Sequence, residues 1–169
     1  MLHNNLFLGG HFIIPNSLSV FQFKEKYQKL EQQRTEIDKN ITDLLFNEMS
    51  KATTTIIELK KINFIFTHPD DNTLRTKHGA IVGVDSQYLY VYCANGNPVV
   101  HLVNKRTDTI PANDNSIPFL DNFVHFCDVA FAFNGLESLE EQMRNCLTSL
   151  EEQIKQRRQV LDSRFNSNS

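Results

Sequence analysis

At 169 residues, the chain has room for one domain, or for a small domain carrying a helical arm. With 40% apolar and 22% charged residues, a net charge of −3 and a pI near 6.1, it supports a modest core and lacks the basic excess that phosphate neutralisation demands. Nucleic acid is therefore not an expected partner. Cys93, Cys127 and Cys146 are widely spaced and form no CxxC, which argues against a disulfide framework and for a reducing, cytoplasmic setting.

In chain order, Leu6–Ile14 is a short apolar segment interrupted by Gly9, Gly10 and His11, and residues 1–18 are expected to be extended or to form a docked strand. The stretch has no basic start and makes a poor secretion signal. No later run approaches the roughly 18 apolar residues that span a bilayer, so no membrane partner is expected.

A long helix is expected over residues 19–61. Ser19 and Gln22 form an S-x-x-Q capping box, with Leu18 and Phe23 placed as a hydrophobic staple. An apolar stripe then runs through Phe23, Tyr27, Leu30, Arg34, Ile37, Ile41 and Leu44 at alternating spacings of four and three. It skips one residue and resumes as Leu45, Met49, Ala52, Ile56 and Leu59. Four-three spacing is the coiled-coil seam, and the skip disturbs its supercoil locally. Thr53-Thr54-Thr55, three β-branched residues in a row, is the weak spot of this helix.

Residues 62–133 read as a β-rich domain. Strands fit Ile62–Thr67, Ala80–Val84, Tyr88–Cys93 and Val99–Val103, with Asp85-Ser86-Gln87 as one turn. Asn95-Gly96 suits a type I′ hairpin, in which both central residues need positive φ. Tyr88, Tyr90 and Tyr92 share one strand face, either an exposed recognition surface or one packed under a helix. Residues 105–118 form a polar loop. Of the aromatic run that follows, Val129, Phe131 and Phe133 alternate as a strand would, while Phe119, Leu120, Phe123 and Val124 fit a helical turn.

Asn134-Gly135 breaks the pattern, and a C-terminal helix is expected over residues 134–165, capped by Ser138 and Glu141. Its stripe holds Leu139, Met143, Cys146 or Leu147, Leu150, Ile154 and Leu161. Acidic residues lead and the basic run Lys155, Arg157, Arg158 follows, an order that suits the helix dipole. Residues 166–169 are expected to be a disordered tail.

The expected fold is thus α+β: long N- and C-terminal helices packed as an antiparallel, coiled-coil-like pair, with a small antiparallel β domain inserted between them. The order of helix, hairpins and helix resembles prefoldin-type chaperone subunits in topology only. The corresponding function is non-enzymatic: an adaptor, chaperone-like or accessory structural subunit, homo-oligomeric and most simply a dimer, with no cofactor and a protein partner of unknown identity. The interaction residues would be Tyr27, Leu30, Ile37, Ile41, Leu44, Leu150 and Ile154 on the helices, with Tyr88, Tyr90 and Tyr92 on the sheet.

One string points elsewhere. Phe66-Thr67-His68-Pro69-Asp70-Asp71-Asn72-Thr73-Leu74 resembles the signature of the LmbE/PIG-L family of zinc-dependent N-deacetylases, although Asn72 stands where that family has Glu. The resemblance implies zinc ligation by His68 and Asp71, with Asp70 as general base on the metal-bound water and His101 or His125 as a third ligand. The alternative function is accordingly a zinc-dependent hydrolase centred on His68, Asp70 and Asp71. The same residue types also suit a plain turn at Pro69–Asn72. His125 and Cys127, two apart, could join His68, His78, Cys93 or His101 in a metal site.

Overall fold

The computed structural model describes residues 18–96, 99–112, 117–118, 123–124 and 127–166; the segment Leu6–Ile14, His125 and the last three residues lie outside these. The chain divides into two compact units, Met1–Ile37 and Asp38–Ser169. Among the described residues the fold is α+β, with three helices and two small antiparallel sheets. In chain order these are α1 (Val20–Lys61), β1 (Phe66–His68), β2 (Asp71–Thr76), β3 (Ala80–Val84), β4 (Tyr88–Tyr92), β5 (Val99–Asn104), β6 (Ile117–Pro118), α2 (Val129–Glu137) and α3 (Leu139–Asn166).

Both ends of α1 are set by local chemistry. At the start, the Ser19 amide donates to Gln22 Oε1 at 3.1 Å and the Gln22 amide donates to Ser19 Oγ at 3.2 Å, closing the capping box. At the end, Asn63 adopts φ 55°, the Phe64 amide donates to the Leu59 carbonyl and the Asn63 amide to that of Lys60. This is a Schellman stop, and it folds Phe64 back onto Leu59 in the core. The threonine run does not break the helix. Thr53 Oγ1 donates to the Met49 carbonyl at 2.8 Å and lies 2.7 Å from Tyr92 Oη, so tertiary contacts override a weak propensity.

The one-residue skip in the stripe marks a change of duty. Leu45 is fully buried and Leu44 is 57% exposed. From Leu45 through Met49, Ala52, Ile56 and Leu59, α1 lies on the larger sheet, whose strand order is β3-β4-β5-β6. Alternation along the strands gives that sheet two apolar faces. Ala80, Val82, Tyr92 and Val100 face α1, whereas Ile81, Leu89, Val91, Cys93 and Val103 join Leu74 on the other side. Each fully buried large side chain contributes about 1.5–3 kcal/mol over exposure, so the α1 face is the principal stabilising layer. The β4–β5 hairpin pairs Tyr92 with Val100 and Tyr88 with Asn104. Its connection is wider than a two-residue type I′ turn: Ala94 and Gly96 carry positive φ, Asn95 does not, and Lys60 Nζ pins the loop through the Cys93 carbonyl and Asn95 Oδ1.

The segment 129–133 departs from the strand expectation. Val129–Glu137 is helical, with Asp128 as N-cap accepting from the Phe131 amide, and Asn134-Gly135 lies inside it. The apolar alternation of Val129, Phe131 and Phe133 arises because α2 lies against β3, an outer strand, and sends residues to both faces: Ala132 and Leu136 to one cluster, Phe131 to the other. Gly135 sits at the closest approach, where a Cβ would come within 1.8 Å of the Ile81 carbonyl oxygen. Ser138 is the C-cap of α2, with αR geometry, rather than the N-cap of a boxed helix.

Candidate functional site

Two places carry the sequence-level expectations: the β1–β2 turn and the exposed faces of the long helices. The turn is built tightly. Phe66 pairs with Thr76 and His68 with Asp71, leaving Pro69-Asp70 to reverse the chain. Asp71 Oδ1 accepts from both the Thr73 hydroxyl, at 2.6 Å, and the Thr73 amide, at 2.9 Å, and these bonds hold its carboxyl below the usual range. Asp70 accepts from Asn134 Nδ2 at 3.1 Å, linking the turn to α2.

His68 is buried, with 1% exposure, and its ring stacks on Phe131 with centroids 3.4 Å apart. Both ring nitrogens are occupied. The Asp70 amide donates to Nδ1 at 3.1 Å, which fixes the proton on Nε2, and Nε2 donates to the Phe131 carbonyl at 2.9 Å. No lone pair of the imidazole points to open space. Asp70 and Asp71 are exposed and engaged in the turn. Among the described residues no group of three His, Cys, Asp or Glu is placed to hold a metal ion. The residues of this turn do not fit a zinc site, and no hydrolytic step is derived from it. His68 works as a staple between the hairpin and α2. Next to it, buried Gln142 of α3 accepts the Thr67 amide on Oε1 and donates to Ser138 Oγ from Nε2.

The tyrosine face lies mostly under other elements. Tyr92, 4% exposed, sits beneath α1 and is closed to a partner; burial is the reason it fails as an interaction residue. Tyr90 is half-buried near Phe123 and donates to Asp85 Oδ2 at 2.8 Å, while Tyr88 is half-buried. Burial raises the Asp85 carboxyl, but bonds from the Tyr88 amide, the Tyr90 hydroxyl and the Gln87 amide outweigh it and hold the group below its usual value. Burial first, then the bond to Asp85, pushes Tyr90 up to about 12. A phenol raised in the fold favours folding below its unfolded pKa, near 10, and loses that contribution as pH rises toward 12. Denaturation midpoints should therefore fall over this alkaline window, and the Tyr90→Phe chain should fall less steeply.

The helical faces are different. Every residue of α3 from Arg144 to Asn166 is exposed, and only Leu139 and Gln142 of that helix are buried. Leu150 and Ile154 are 52% and 50% exposed, with Leu147, Val160, Leu161 and Phe165 more so. In α1, Tyr27, Leu30, Ile37 and Leu44 are exposed, and Ile41 is half-buried against the core. Coiled-coil pairing of the two helices along these stripes is not shown. α3 turns its first apolar residues, Leu139 and Met143, to the core and leaves the rest of its stripe open. Val160 and Phe165 are also exposed apolar residues of α3 and were missed in the sequence, because the four-three count from Leu147 passes through Leu161 and Arg164 and lands on neither. No helix of the described residues is long and apolar enough to cross a membrane. The chain matches no protein-family model, no curated protein and no solved structure.

Proposed function

We propose that this chain is a non-enzymatic interaction or assembly protein, an adaptor, chaperone-like or accessory structural subunit, whose working surface is the exposed helical seam carried by a small α+β core. The observation that carries this reading is the open stretch Arg144–Asn166: a helix with a regular apolar stripe and no core contact along it. In proteins, most of the stability of an amphipathic helix comes from packing its apolar face rather than from intrinsic propensity. Contiguous apolar surface of this kind marks an interaction site. The stripe Phe23–Ile37 in the first part of α1 offers a second seam of the same kind. Coiled-coil association, including self-association, is the mode such seams support. The wide spacing of Cys93, Cys127 and Cys146, with no CxxC among them, supports a cytoplasmic setting.

The test is a capture experiment from the native host with the full chain as bait. A Leu150→Asp/Ile154→Asp chain should lose the captured partner while its melting temperature stays within about 2 °C of the parent's at protein concentrations dilute enough for both to be monomeric, since neither residue supports the core. Undiminished capture by that variant would refute the reading.

A further inference from the structure

The exposed seam of α3 consists of Leu147, Leu150, Ile154, Arg157, Leu161 and Arg164, at alternating spacings of three and four. Its charge is divided sharply. From Leu139 to Gln153 there are four glutamates, Glu140, Glu141, Glu151 and Glu152, against one cation, Arg144. From Ile154 to Asn166 there are four cations, Lys155, Arg157, Arg158 and Arg164, against one anion, Asp162. The helix macrodipole acts only within the first and last turns. Glu151, Glu152, Lys155, Arg157 and Arg158 lie well inside the helix, so the dipole does not account for them.

We infer that this seam pairs with the same seam of a second copy of the chain, in antiparallel orientation, with the two helices crossing near Ile154. The inference rests on the interaction reading above and names its partner. A parallel pair would set Arg157 against Arg157 and Arg164 against Arg164 inside the seam, and glutamate against glutamate beside it. Antiparallel alignment lays each acidic half on the basic half of the other copy. It brings Leu147 and Leu150 of one helix toward the Leu161 end of its mate, with the arginine stems covering apolar surface and their heads reaching the facing glutamates. The open stretch spans three heptads or slightly more, about 35 Å at 1.5 Å per residue, with two arginines in the seam, so the pairing is reversible and salt-sensitive.

The experiment uses the full chain. Sedimentation should give a mass near twice 19.5 kDa at micromolar concentration, shifting toward monomer in 1 M salt, where screening is nearly complete. Ile154→Asp should be monomeric, with a melting temperature that no longer rises with protein concentration as the parent's does. Glu151→Lys/Glu152→Lys should dimerise at least about tenfold more weakly, and mixing it with Arg157→Glu/Arg158→Glu should recover a heterodimer. Cys146 is exposed and reports orientation directly. In a Cys127→Ser background, spin labels on Cys146 should lie about 25 Å apart in the antiparallel pair and about 10 Å apart in a parallel one. A monomer at low salt, a dimer indifferent to Ile154→Asp, or labels at the short distance would overturn the inference. A monomer that still captures a foreign protein through Leu150 and Ile154 would overturn it while leaving the interaction reading intact.

Discussion

Gly135→Ala is expected to lower stability by about 3 kcal/mol, measured as a shift of the urea midpoint at constant slope. In a helix interior, alanine ordinarily gains about 1 kcal/mol over glycine. Here that gain meets a fixed obstacle. The added Cβ would stand 1.8 Å from the Ile81 carbonyl oxygen and 3.2 Å from His68 Cδ2. The first is strand backbone, bound into the sheet, and cannot swing aside as a side chain would. α2 must lift from β3, disturbing Ala132 and Leu136 in the core. Gly96→Ala provides the contrast. Nothing lies within 4 Å of its Cβ position, but its φ of +106° disfavours a side chain, so the cost is about 1–2 kcal/mol and purely conformational. A Gly135→Ala chain as stable as the parent would mean that α2 does not press on β3 in solution.

His68→Ala is expected to cost about 3–4 kcal/mol, whereas Asp71→Ala, which removes only the two exposed turn bonds from Thr73, costs far less. The alanine leaves a void against Phe131 and strips the Asp70 amide of its acceptor. Adding zinc to the parent chain should leave the melting temperature unchanged, because ligand binding to the fold would raise it by mass action. If His68 were instead a metal ligand, the ranking would differ: zinc would stabilise the chain, and both His68→Ala and Asp71→Ala would abolish that increment. Thermal scans with and without zinc on the three chains decide between the two roles.

The parts legible in the sequence are those governed by neighbours a few residues away. Ser19 and Gln22 announce the start of α1, Asp85-Ser86-Gln87 announces a turn, and the slip from Leu44 to Leu45 announces a break in the regular seam of α1. What escaped depends on residues distant in the chain. Asn134-Gly135 has the composition of a break, and only the presence of the Ile81 backbone beside it explains a glycine within a helix. Asp128 was the overlooked signal: it caps α2 three residues before Phe131. Tyr92 could not be assigned to burial or binding until Thr53 of α1 was found opposite its hydroxyl. The string around His68 has the residues of a metal motif, but its meaning depends on Phe131, which occupies one ring nitrogen from sixty-three positions away.

The buried bonds of Gln142 close the core: beyond Met143, no residue of α3 contributes to it. This orders events in time. Domains form as units during synthesis, and what is made earlier can fold earlier. All the described residues that fill the two apolar clusters precede Arg144, so the globular part can close before the rest of α3 has emerged from the ribosome. The apolar stripe that follows then appears on a finished scaffold, where it has no half-formed sheet to invade. The closed core and the open half of α3 are thereby completed as successive steps along one chain.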